Sequence, residues 1–208
     1  TGSSWPQPAQ FPIDGKRIIT SKEALDLEVI PKRMVILGGG VEGCECATYF
    51  RGQGTVVTKV ELQPRVRPLE DGDVSVLMER ELKKRSVEVK TGTTIKRVDH
   101  TVDALAISLA DETMVEADVL LISIGRGFQS QGIGLDRVGV ALGRRGEVLV
   151  DERMETNVPG VYAIGDVAGK GMLAHVASAQ GKVAVENILG HTVRINYDVI
   201  PAGIFTLP

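Results

Sequence analysis

Apolar positions along this chain fall into two patterns. Met34 to Leu37 is a short unbroken apolar run, Val56 to Val60 is a second run rich in β-branched residues, and Val119 to Ile124 is a third. Short apolar runs bounded by turn residues suit strands buried on both faces of a sheet. Elsewhere the spacing is helical. Val74, Leu77, Met78 and Leu82 predict a helix over 74–85 with Asp73 as its cap, and Ser21 reads as an N-cap for the helix formers Lys22 to Leu25. Val87, Val89 and Thr91 alternate as in a strand. Segments 93–99 and 104–109 predict further strands, with Asp111-Glu112 turning the chain toward Val115.

From 34 to 124 the order is strand, helix, strand, helix, strand, a small antiparallel excursion, and a final buried strand. Right-handed crossovers make this an α/β, doubly wound Rossmann-like domain: a parallel sheet with helices on its faces. Residues 127–147 are glycine-rich and aperiodic, and read as loop. Short strands follow at 148–150 and 161–164, then a helix over 172–189. This last group is too small to bury a sheet of its own and reads as a partial second lobe. The expected divisions are therefore 1–12, a connector and remnant of that lobe; 13–126, the complete domain; 127–200, the partial lobe; and 201–208, the start of a linker.

The junction after the first apolar run carries the chemistry. Gly38, Gly39, Gly40 and Gly43 form G-x-G-x-x-G directly after a strand and before a helix, and the next strand ends in Glu61. Such a turn lets a pyrophosphate meet free N–H groups at a helix start, and the acid accepts hydrogen bonds from a ribose. An acid at that strand end favours NAD over NADP, because it would repel a 2′-phosphate. Arg65 and Arg67 stand close downstream.

Composition adds exclusions. The 208 residues are 43% hydrophobic and 25% charged, with a net charge of −3, so the basic balance of a nucleic-acid binder is missing. No apolar run has membrane-spanning length. The start, TGSSWPQPAQFP, reads as cut from something longer. Cys44 and Cys46 sit two positions apart in a predicted helix, on opposite faces, and read as packing residues more than a redox pair. The histidines at 100, 175 and 191 have no metal-ligand spacing with them.

Several ordered motifs together resemble the flavin-dependent pyridine nucleotide–disulfide oxidoreductases: TGS at 1–3, GGGVEGCE at 38–45, ISIGR at 122–126, TNVPGVYAIGD at 156–166, MLAH at 172–175 and IFTLP at 204–208. The likeness runs over essentially the whole chain and is strongest to members acting on dihydrolipoamide. It implies an NAD domain and the later part of an FAD domain. Gly38, Gly39, Gly40, Val41, Glu42, Gly43, Cys44 and Glu45 would wrap NAD, Glu61 would hold its ribose, and Ile95 and Gly125 would line the cleft. Thr1, Gly2, Ser3 and Asp166 would belong to the flavin side, with Met172, Leu173, Ala174 and His175 against the ring.

In such a parent, electrons pass from dihydrolipoamide through a disulfide and FAD to NAD⁺. The resemblance further implies FAD shared with a segment N-terminal to this one, lipoyl groups of 2-oxo acid dehydrogenase complexes as partners, a homodimer, and a location in the cytoplasm or an organelle matrix. The family's Cys-x-x-x-x-Cys and His-x-x-x-x-Glu pairs are not in this sequence, so no catalytic residue is assigned. Another disulfide reductase of the same family, or a stand-alone NAD-binding regulatory module, are the competing readings. Glu42 and Lys59 stand where the family usually carries apolar residues, and Phe128-Gln129 replaces its Pro-Asn. At the first turn of the helix, Glu42 is expected either to repel a pyrophosphate or to turn away and pair with Lys59.

Overall fold

The computed structural model describes residues 1–207; Pro208, which ends the IFTLP motif and the expected linker, lies outside the described residues. In chain order the elements are β1 (Ser3–Ser4), β2 (Ile18–Thr20), α1 (Ser21–Leu25), β3 (Arg33–Leu37), α2 (Val41–Gly52), β4 (Val56–Glu61), α3 (Gly72–Lys84), β5 (Glu88–Thr91), β6 (Ile95–His100), β7 (Leu105–Leu109), β8 (Met114–Ala117), β9 (Val119–Ile122), β10 (Gly127–Phe128) and α4 (Ala174–Ile188). They fall into two compact units. One holds Gln7–Gly125 with the segment that begins at Gly203; the other holds Thr1–Pro6 and Arg126–Ala202.

The first unit is built on a five-stranded parallel sheet in the order β2-β9-β3-β4-β5. All four residues of β9 are buried, as an unbroken apolar strand should be. Alternation along β3 explains the two cores. Met34 and Ile36 face Cys44, Ala47 and Phe50 of α2 with Leu82 of α3. Val35 and Leu37 face Leu105, Ile107 and Leu109 of β7. The α/β class and the antiparallel excursion stand as expected. The layering is more specific: α1, α2 and α3 supply the first core, and the antiparallel sheet β6-β7-β8 covers the other face in place of helices.

Several local expectations need correction. Thr20, not Ser21, caps α1. Its side chain and that of Glu23 form a reciprocal capping box, with Thr20 N donating to Glu23 Oε2 at 2.9 Å. Asp71, not Asp73, occupies the cap position of α3. The strand β2 escaped the sequence reading because three residues carry too little periodicity.

In the second unit, β1 pairs antiparallel with β10. The expected strands at 148–150 and 161–164 reduce to isolated bridges, Leu142 with Val148 and Glu155 with Tyr162. The helix α4 begins at Ala174, so Met172 and Leu173 precede it. Gln180 of α4 is fully buried and fully employed. Its Oε1 accepts from Gly165 N at 2.7 Å, and its Nε2 donates to Lys170 O at 3.1 Å and Tyr197 Oη at 3.0 Å.

Candidate functional site

The parallel strands β3, β4 and β9 end side by side, and a cleft of about 460 Å³ opens at their carboxyl ends. Its wall includes Gly38, Gly39, Gly40, Glu61, Arg67, Thr94 and the Ser123–Gly125 segment. The carboxyl edge of a parallel sheet, where strand order departs in both directions from a central strand, is where open α/β folds bind ligands. A wider cavity of about 660 Å³ lies within the loop Ser130–Leu142 of the other unit.

Each glycine of the turn answers to a different constraint. A Cβ on Gly38, whose φ is +117°, would stand 1.9 Å from Ser123 O. One on Gly39 would stand 2.5 Å from Glu61 Oε2, and one on Gly43 2.3 Å from Gly38 O and 2.6 Å from Lys59 Nζ. The protein itself therefore demands these three. Gly40 is different: it lines the cleft at φ −71°, and a Cβ there would meet nothing within 4 Å. It is also the N-cap of α2, with no side chain capping the helix. The first N–H groups of α2 lack intrahelical acceptors, and the helix dipole makes their surroundings favourable to an anion.

Glu61 is 8% exposed, at the end of β4. Its Oε2 accepts from Gly39 N and its Oε1 from Gln63 N at 2.7 Å, so backbone donors fix the carboxylate on the cleft wall. The two nearby arginines are engaged within their own loop. Arg65 donates to Pro68 O and Glu70 O, both at 3.1 Å, and Arg67 pairs with the Glu70 carboxylate.

The remaining residues named from sequence separate. Val41, Glu42, Gly43, Cys44 and Glu45 lie on α2, behind the cleft wall formed by the first three glycines. Glu42 Oε2 accepts from Ser21 Oγ at 3.2 Å, which places its carboxylate beside α1. The expected partner Lys59 donates instead to Gly38 O at 2.6 Å. Cys44 is buried with Sγ toward Gly39 O, and Glu45 Oε1 accepts from Phe205 N at 2.8 Å. Ile95 is not on the cleft wall: it is buried between the parallel and antiparallel sheets, and Thr94 takes that place. Burial pushes the Cys44 thiol up, and burial with the nearby Glu42 pushes Cys46 up to about 11, so neither is an activated thiolate.

In the other unit the structure gathers Ser3, Arg126 and Asp166. Ser3 Oγ donates to the Asp166 carboxylate, Arg126 Nε donates to Ser3 Oγ at 2.6 Å, and Arg126 lies 4.3 Å above the Trp5 ring. Asp166 follows Gly165, which Gln180 anchors, so that buried amide positions the turn; sequence reasoning passed over it because a lone Gln in a helix carries no motif. His175 lies in the first turn of α4, its Nε2 2.8 Å from Pro201 O. Thr1, Gly2, Met172, Leu173 and Ala174 belong to the same unit. Among the described residues, no group of three or more His, Cys, Asp or Glu could hold a metal ion, and no helix is long and apolar enough to cross a membrane.

The model of one family, the pyridine nucleotide-disulphide oxidoreductases, matches residues 1–181. The chain belongs to this family. Within the pyridine nucleotide-disulphide oxidoreductases it is 40% identical over 208 residues to a dihydrolipoyl dehydrogenase of Chlamydia pneumoniae, covering 100% of this chain and 45% of that protein. It is 37% identical to a leghemoglobin reductase of Glycine max, covering 100% of this chain and 41% of the relative. The crystal structure of LpdA from Mycobacterium tuberculosis superposes with a TM-score of 0.93 at 33% identity, over 99% of this chain and 45% of that one. The chain thus spans less than half the length of these relatives.

Proposed function

We propose that this chain forms the NAD-binding domain and part of the FAD-binding domain of a dihydrolipoyl dehydrogenase. Gly40 carries the reading. The protein has no steric need for a glycine there, yet the position lines the cleft at an uncapped helix start. A pyrophosphate approaching the α2 N–H groups supplies the missing reason. Glu61 then accepts from the adenosine ribose hydroxyls, held in place by Gly39 and Gln63. The engagement of Arg65 and Arg67 with their own loop leaves NAD(H) the better fit than NADP(H).

On the flavin side, Asp166 is a half-buried carboxylate oriented by Ser3 and able to accept hydroxyls of the ribityl chain. Bound FAD carries an electron pair between a dithiol and NAD⁺. This chain's part in that transfer is to hold and orient the two cofactors. Its two cysteines, both buried or half-buried with raised pKa values, do not supply the dithiol. Lipoyl groups as substrate, a homodimer, and a location in the cytoplasm or an organelle matrix belong to the same proposal, supported by the dihydrolipoyl dehydrogenases among the relatives. A second disulfide substrate is kept as the alternative because RclA of Escherichia coli, an HOCl-induced flavoprotein disulfide reductase, superposes with a TM-score of 0.90 at 26% identity over 99% of this chain and 47% of that one.

The test is Gly40→Val. A Cβ there meets nothing within 4 Å and the backbone is extended, so the variant should fold, with about 1 kcal/mol lost for a β-branched residue at a helix N-cap. NADH affinity, followed by calorimetry, should fall by about a hundredfold or more. Retained affinity would remove the cleft from consideration.

A further inference from the structure

Directly beneath the glycine turn lies a lysine with no access to solvent. Lys59 is 0% exposed on β4, a strand whose neighbours at that level are core. Its Nζ donates to Gly38 O at 2.6 Å and stands where a Cβ on Gly43 would come within 2.6 Å of it. The amine therefore touches both ends of the turn from below, while Gly38, Gly39 and Gly40 form the cleft wall above. A long, flexible side chain ending in an amine is costly to bury in that position and would not be chosen for packing alone.

We infer that Lys59 is a positioning residue of the dinucleotide site: it holds the Gly38 carbonyl and takes up a proton when a pyrophosphate settles on the other side of the turn. This rests on the NAD-binding reading of the cleft. The groups facing the amine come from each neighbouring element. They are the Gly38 carbonyl after β3, the Cys44 and Cys46 thiols of α2, and the Glu61 carboxylate of its own strand; Glu42, Glu45 and Arg67 act in turn on those thiols. Burial pushes the Lys59 amine below its ordinary range, and only Glu61 among its direct neighbours offers a full opposing charge while both thiols stay protonated. Two added phosphate charges across one peptide layer favour the ammonium form. Linkage makes the effect reciprocal: a ligand that favours the protonated amine binds more tightly where the amine is protonated.

The experiment uses the full 208-residue chain and NADH. Calorimetric titration in two buffers of different ionisation enthalpy, repeated at stepped pH up to about 10, should show proton uptake on NADH binding across the range in which the free amine loses its own proton. The dissociation constant should rise with pH above the pKa of the free protein, by at most about tenfold per pH unit for one proton. Lys59→Met keeps the length of the side chain without the charge, and should bind with a flat pH profile and no uptake. Uptake measured on the unsubstituted chain needs no variant, so a poorly folding Lys59→Met does not rescue the idea. NADH binding without proton uptake and with a flat pH profile overturns the inference alone, as does uptake that persists in Lys59→Met. No NADH binding at any pH overturns the cleft assignment itself.

Discussion

Glu61 Oε2 accepts the backbone N–H of Gly39, and the same oxygen would lie 2.5 Å from any Cβ placed on that glycine. The acid at the end of β4 and the middle glycine of the turn therefore specify each other before any ligand arrives. Glu61→Ala removes both the anchor of the turn and the acceptor for a ribose. Losing a hydrogen bond to a charged group costs roughly 1.5–3 kcal/mol, so NADH affinity should drop about ten- to a hundredfold. Fluorescence titration with NADH measures it.

Of the two expectations for Glu42, repelling a pyrophosphate or turning away to Lys59, the structure favours turning away, but toward Ser21. The carboxylate stands off the cleft wall. Glu42→Ile should leave the NADH dissociation constant within about twofold at both low and high salt, since a repelled dianion would show a salt dependence. A clear tightening that fades at high salt would restore the repulsion.

Gln180 joins Gly165, Lys170 and Tyr197 in a fully buried position. Gln180→Leu keeps most of the volume and leaves the Gly165 N–H and the Lys170 carbonyl without this partner. Gly165 is half-buried and Lys170 exposed, so water reaches part of what is freed, and the two together cost about 1–3 kcal/mol. Denaturant unfolding should show a loss in that range, and Asp166 beyond the freed turn should hold flavin less well.

How much of this was legible in the sequence depended on whether a residue's role is local. The strand, turn, helix and terminal acid from Met34 to Glu61 could be read because strand length, glycine spacing and strand end are all near neighbours in the chain. The caps of α1 and α3 lie one and two positions before the residues expected, because adjacent Thr20-Ser21 and the paired Asp71 and Asp73 offer alternative starts and helix ends are the least local-pattern-determined positions. Ile95 opens β6 and points into the core, while Thr94 in the loop just before it reaches the cleft, and the exact start of a strand is not fixed by local pattern. Lys59 was noticed as an interruption, but its complete burial follows from α2 packing over β4, which no local pattern reports. The covering of one sheet face by β6, β7 and β8 likewise depends on contacts between residues distant in the chain.

The central claim is that the cleft at Gly38–Gly40 and Glu61 binds NAD(H), and parallel titration of NADH and NADPH into the purified chain tests it most directly. Glu61 on the cleft wall opposes a 2′-phosphate, and Arg65 and Arg67 are engaged with Pro68 and Glu70. NADH should bind at one site, with NADPH weaker by roughly tenfold or more, a difference of about 1.4 kcal/mol or above. Equal affinity for the two, or no binding of NADH, would contradict the account.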